Sequence, residues 1–416
     1  MHQDKRSYLL AIVTLVAMAN VVPSPHVVPG WNVVPAARAQ SAAWTQYTNA
    51  GMNALSNANY ADATKLLTAA MSEAEKSGPT SEPYQKSLNN LAALATAQGH
   101  YADAETLYKQ VYKIQQKAYG QLDPRVAPVL NNLAGLYFRQ GKYEQAEPLY
   151  EGALTVDERA YGPNHPNVGA VLNNLAALYK EEGRYADAEK YYWRALKIHE
   201  QCFGINHITV STGLNNLGEL FHQQRKYAQA KTFYEKALSI NEKVLGPDHL
   251  EVATVLNNLA ELNRDQRMFA QAEPLYQRAL AINERKLGPD HPRVAINLQN
   301  LALMYQAQGK QLGDAERLYK QALAIEEKTL GANHPHVATT LENLADLYYG
   351  QGNYAAAEPL YKQGLEIDES HGPNQPGLIA DLESYAKLLR KTNRPQEAAK
   401  LEARAQMIRA AQSQAR

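Results

Sequence analysis

Cysteine is almost missing from this chain: Cys202 is the single one in 416 residues. That excludes an intramolecular disulfide and any zinc cluster built from cysteines. Phenylalanine (5) and tryptophan (3) are scarce, so tyrosine (26) carries the aromatic content. Net charge is missing too. Lys+Arg 42 balance Asp+Glu 42, which gives no general attraction to nucleic acid or to an anionic membrane. There is no Gly-rich phosphate loop, no Gly-x-Ser-x-Gly elbow and no Walker-type lysine. His199-Glu200 opens like a zinc-protease helix, but Phe203 stands where the second histidine belongs. These absences argue against an enzyme, and no cofactor or metal is expected.

The longest apolar run lies at the N-terminus, from Tyr8 to Val22, after Lys5 and Arg6. It is short of the roughly 20 residues that span a bilayer. Ala37-Arg38-Ala39 offers small residues at the positions a signal peptidase reads. Residues 1–39 therefore read as a secretory signal peptide. The expected location is exported, periplasmic or secreted, with no membrane insertion after cleavage. The rival is an uncleaved segment that holds the protein to the inner membrane.

What the chain has in abundance is a period. Asn90, Asn132, Asn174, Asn216, Asn258 and Asn300 are each 42 residues apart, and Asn343 follows one residue late. Asn89, Asn131, Asn173, Asn215 and Asn257 double five of them. Such an interval marks a repeat array, whose units bury their apolar faces only by stacking. A solenoid also escapes the size limit of a single core, because each unit touches only its neighbours.

Leu130 to Glu158 shows the unit. Leu130, Leu133, Ala134 and Tyr137 have helical i, i+3, i+4, i+7 spacing. Gly141 sits at a break. Ala146, Leu149, Tyr150 and Ala153 start a second stripe. Two helices joined by a short loop make a helical hairpin. Leu, small and Tyr in the first helix, then Ala, Tyr and Ala in the second, resemble the tetratricopeptide repeat. The longer period and the Gly-Pro-x-His-Pro connector are similar to the kinesin light chain type of that family. The resemblance implies an all-α superhelical solenoid of about nine hairpins. The expected divisions are a degenerate first hairpin at 40–85, seven regular ones at 86–371 and a degenerate capping hairpin at 372–416. The regular hairpins are placed near 86–119, 128–161, 170–203, 212–245, 254–287, 296–330 and 339–371. Pro148, Pro274 and Pro359 are read as falling near the first turn of the second helix, where the missing N–H has no intrahelical partner to lose.

On a helical wheel the asparagines fall opposite the apolar stripe. By the resemblance, first helices line the concave surface, so the ladder lies in that groove. An amide offers two donors and an acceptor, which suits the backbone of an extended peptide. The candidate groove residues are Asn90, Asn131, Asn132, Asn173, Asn174, Asn215, Asn216, Asn257, Asn258, Asn300 and Asn343, with Arg139, Lys180, His222 and Arg264 as variable neighbours. The expected partner is a protein or peptide, and no nucleic acid. A second reading stays open: the amides bond to one another and fix the stacking, and the array bridges or assembles through its ends or convex face. A column of histidines, His165, His207, His249, His291 and His334, precedes helix starts in the connectors. Zinc needs about four converging ligands, and a line of single histidines does not converge. Cys202 is expected to be an ordinary semi-buried thiol.

Overall fold

The structure, a computed structural model, describes residues 42–372 and 377–414. The signal-peptide reading falls on residues outside that range. Among the described residues there is no strand. Eighteen α-helices follow one another as antiparallel pairs. They are α1 (Ala42–Ser56), α2 (Tyr60–Glu75), α3 (Glu82–Ala97), α4 (Tyr101–Tyr119), α5 (Ala127–Arg139), α6 (Tyr143–Tyr161), α7 (Pro166–Glu181), α8 (Tyr185–Phe203) and α9 (Ile208–Gln223). Then come α10 (Tyr227–Leu245), α11 (Leu250–Asp265), α12 (Phe269–Leu287), α13 (Pro292–Gln308), α14 (Leu312–Leu330), α15 (Pro335–Gly350), α16 (Tyr354–Ser370), α17 (Leu378–Lys391) and α18 (Pro395–Gln414). Each odd helix packs on the even helix that follows it, and each even helix packs on the next odd one. The result is nine stacked hairpins.

Packing follows from the repeated small and aromatic residues. Ala134, Ala146 and Ala153 are fully buried, so the two helices of a hairpin approach closely. Tyr150, Tyr192, Tyr234, Tyr276 and Tyr319 recur in the second helices and lose nearly all contact with solvent. Burial of an aromatic ring of this size supplies a few kcal/mol per hairpin. The hairpin turn needs a left-handed residue, which Gly141 provides at φ 67° without Cβ strain.

The first helices begin earlier than the apolar stripe indicates. They start at Pro166, Ile208, Leu250, Pro292 and Pro335, four residues before 170, 212, 254, 296 and 339. The connector histidine explains the extension, because it caps the helix. Nδ1 of His165, His207, His249, His291 and His334 accepts the backbone N–H two residues on, at 3.2, 3.2, 3.2, 3.1 and 3.2 Å. This is the N-cap role that asparagine or serine usually fills. Proline at the first helical position follows three of the five.

The prolines in the second helices correct the sequence reading. Helix α6 opens at Tyr143, so Pro148 lies inside the helix and past its first turn. Pro274 and Pro359 are inside α12 and α16 in the same way. Each forgoes one bond to the carbonyl four residues back. Tertiary packing of the Ala-Tyr-Ala stripe holds these helices despite that loss.

Candidate functional site

The asparagine pairs bond from hairpin to hairpin. Asn132 Nδ2 donates to Asn89 Oδ1 at 2.9 Å, Asn174 to Asn131 at 2.8 Å and Asn258 to Asn215 at 2.8 Å. The second member of each pair thus reaches back to the first member of the preceding pair. These three rungs tie α5 to α3, α7 to α5 and α11 to α9.

Two rungs are not closed. Asn216 makes no such bond to Asn173, and both amide atoms of Asn173 lack a partner although the residue is only 5% exposed. Asn257 and Asn300 each keep an unpartnered amide oxygen. A buried polar group without a partner costs about 1–3 kcal/mol. The ladder therefore has a gap between α7 and α9, and a second between α11 and α13. Asn90, Asn131, Asn132, Asn174, Asn216, Asn257 and Asn258 are half-buried, and Asn215, Asn300 and Asn343 are buried.

Charged side chains cross the same interval two turns further along. Lys180 on α7 lies 3.1 Å from Glu219 on α9 and 3.3 Å from Glu181. It is only 6% exposed. Burial pulls its pKa down, but the Glu219 and Glu181 charges outweigh that and hold it above the usual lysine value. His222 on α9 lies 3.0 Å from Asp265 on α11, and Arg264 lies 3.0 Å from the same carboxylate. Burial would raise Asp265, yet hydrogen bonding from His222 and the Arg264 charge leave it below the usual range. Glu261, beside them, is pushed up to about 7 by burial, against the pull of Arg264 and His222. Lys180 and His222 are thus already paired across neighbouring helices, and Arg264 is paired with Asp265 on its own helix. Arg139 is half-buried and is felt by Tyr60, Tyr101 and Tyr150 around it.

A further periodic column escaped the sequence reading. Asp157, His199, Asn241, Asn283, Glu326 and Asp368 stand one per second helix, and all are buried. Each follows the apolar residue Val156, Ile198, Ile240, Ile282, Ile325 or Ile367. The interval of the repeat is the signal that marks them, but their changing chemistry hides it. Asn241 donates to the Glu251 carbonyl at 3.1 Å and Asn283 to Asn297 at 2.5 Å. Glu326 accepts from Gln299 at 2.7 Å, and its other carboxyl oxygen meets the Thr340 hydroxyl at 2.5 Å. Burial raises Glu326 to about 8 and Asp157 to about 6. At the C-terminal end of the column, Asp368 comes together with Glu342 and Asp381, their oxygens within 4.8 Å of one another. Cys202, expected to be semi-buried, is instead exposed at the end of α8, where its thiol donates to the Asn164 carbonyl at 3.5 Å.

A stack of helical hairpins with a polar ladder along its first helices defines a repeat scaffold. The chain belongs to the tetratricopeptide repeat family, whose profile matches residues 41–117, 125–201, 209–285, 251–312 and 310–370. No curated protein matches it. Among solved structures it is similar to BtubC (BKLC) from P. vanneervenii, at 25% identity over 56% of this chain and 91% of that one, with a TM-score of 0.43. It is also similar to a Rap protein complexed with Competence and Sporulation Factor, at 14% identity over 90% and 99% of the two chains, TM-score 0.58. The apo form of the quorum sensor NprR from B. thuringiensis aligns at 15% identity over 76% and 87%, TM-score 0.55. The last two likenesses concern the fold.

Proposed function

We propose that the protein is a non-catalytic scaffold that holds an extended segment of a partner protein along its concave groove. The observation that carries this reading is the gap at Asn173. Both atoms of its amide are buried and unpartnered across the open rung from half-buried Asn216, so a partner segment satisfies them by parting the side chains that cover them. One peptide unit offers the matching acceptor and donor. Lys180 and Glu219 bridge the same two helices, so the gap stays open without loosening the stack. The Rap protein of similar fold is solved as a complex with Competence and Sporulation Factor, which supports looking for a ligand here. Read as a signal peptide, residues 1–39 would put this activity outside the cytoplasm, and N-terminal sequencing of the mature protein tests that.

The closed rungs support a second role for the same residue type, the alignment of hairpins. The two roles separate by mutation. Asn173→Ala is expected to abolish capture of peptides selected from a random displayed library, with a melting temperature no lower than the parent's, since it removes an unpartnered buried amide. Asn258→Ala removes a closed rung and is expected to cost about 1–2 kcal/mol of stability while peptides still bind. If the library yields no binder, or if Asn173→Ala binds selected peptides as the parent does, the groove reading fails.

A further inference from the structure

Two contacts join parts of the chain that are six hairpins apart. At the α1–α2 tip, the carbonyl of Ser56 faces the ring of His291, the cap of α13, whose Nε2 is buried without a hydrogen-bond partner. At the α3–α4 tip, the carbonyl of Ala97 faces the ring of His334, the cap of α15. A methyl group placed on Gly99 would lie 3.5 Å from the His334 ring and from Pro335, and 3.6 Å from His371. Tyr101 meets the His371 ring edge-on, with centroids 6.3 Å apart. The superhelix therefore completes a turn in six hairpins and touches itself. A capping histidine sits at both closures.

Nδ1 of His334 accepts from the backbone N–H of His336, so the neutral ring carries its proton on Nε2. The Ala97 carbonyl favours that proton. A second proton removes the capping lone pair and sets a cation on the positive end of a helix. The neighbours oppose that cation as well. His334 faces His336 on its own helix, His371 at the end of α16 and Arg139 from α5. His336 also faces Arg139, and His291 faces Arg293. Asp368 is the carboxylate on this side, and it acts on Tyr101. Burial is the largest influence on all three histidines. It lowers His334 to about 2 and His291 and His336 to about 4.

We propose that His291 and His334 make the turn closure an acid-released latch, which holds hairpins seven and eight on the tips of hairpins one and two and opens the groove when the rings are protonated. The direction follows from the lowered values. Closure is fully stabilised above the ordinary histidine range and weakens as pH falls through it. Each pH unit below about 6.5 shifts the open-to-closed ratio about tenfold per histidine, down to the closed-state value.

Small-angle scattering with far-ultraviolet circular dichroism tests the latch. Between pH 7.5 and pH 4.5 the radius of gyration is expected to rise while helix content holds. In the double variant H291N/H334N, asparagine keeps a capping acceptor but takes no proton. Its size is expected not to change with pH, whether it is closed or already open. H207N/H249N replaces two caps away from the closures and is expected to expand like the parent. If the double variant does not fold, H334N alone is expected to show at least a halved expansion. The latch is overturned by a parent that keeps its size, by expansion of H291N/H334N equal to the parent's, by a blocked H207N/H249N, or by expansion that accompanies loss of helix.

Discussion

Glu326 shows how much a single residue does in this stack. Its side chain is fully buried between Gln299 of α13 and Thr340 of α15, and no cation pairs with it there. Burial raises its pKa to about 8, so the folded protein keeps it protonated at neutral pH. The folded value lies above the unfolded one, near 4.5. The contribution is thus complete below pH 4.5 and is lost as pH rises toward 8. Glu326→Gln preserves both contacts: its oxygen accepts from Gln299 and its amide donates to Thr340. The variant is expected to melt higher than the parent at pH 8, by a few kcal/mol in stability, and to match it near pH 4.5. Equal melting temperatures at both pH values would refute a buried neutral acid. Residues of this kind were poorly legible in the sequence. The asparagine pairs announce themselves because their identity repeats, whereas the Glu326 column changes from Asp to His to Asn to Glu. Its burial is set by the next hairpin, 14 residues on for Thr340, and no local pattern encodes that.

At the scale of the element, the hairpin turn is the point of stress. Five regular units place glycine in the left-handed position, as at Gly141 and Gly183. Hairpins five and six use Arg225 and Arg267 there, both at φ 59°. A side chain in this region costs about 1–2 kcal/mol, part of which glycine gives back through its unfolded-state entropy. Arg225→Gly and Arg267→Gly are each expected to stabilise by up to about 1 kcal/mol, measured by urea unfolding. A loss of stability would show that the arginine side chains hold the turn. The helix pairs themselves were legible, since apolar spacing fixed each stripe. The helix starts were not fully so. The stripe cannot report a polar cap such as His165, and the helix runs back to Pro166 because that cap satisfies its first N–H groups. Nor does an apolar pattern reveal where Lys180 finds Glu219, since that pairing depends on the register between hairpins.

At the scale of the whole molecule, a simple solenoid has two ends of equal standing, each held by one neighbour. Closure of the turn breaks that symmetry. Hairpins one and two have a second set of contacts, through His291 and His334, while hairpin nine packs on hairpin eight alone among the strong helix contacts. Fraying is therefore expected from the C-terminal end. Hydrogen exchange at pH 7.5 is expected to be faster in α17 and α18 than in α1 and α2, and the difference to shrink in H291N/H334N. Equal exchange at both ends of the parent would show that the turn contacts carry no stability. How the turn closes was invisible in the sequence, because the pitch is the sum of small rotations between hairpins and no single residue sets it.

The capping histidine has one more consequence. His165, His207 and His249 cap their helices as His291 and His334 do, yet among the described residues their hairpins, the fourth, fifth and sixth, have no tip six positions back to meet. They are spare fasteners. Three more hairpins added ahead of the first by gene duplication would bring new tips beneath them. The molecule can thus gain length in whole copies, each arriving opposite a fastener already in place.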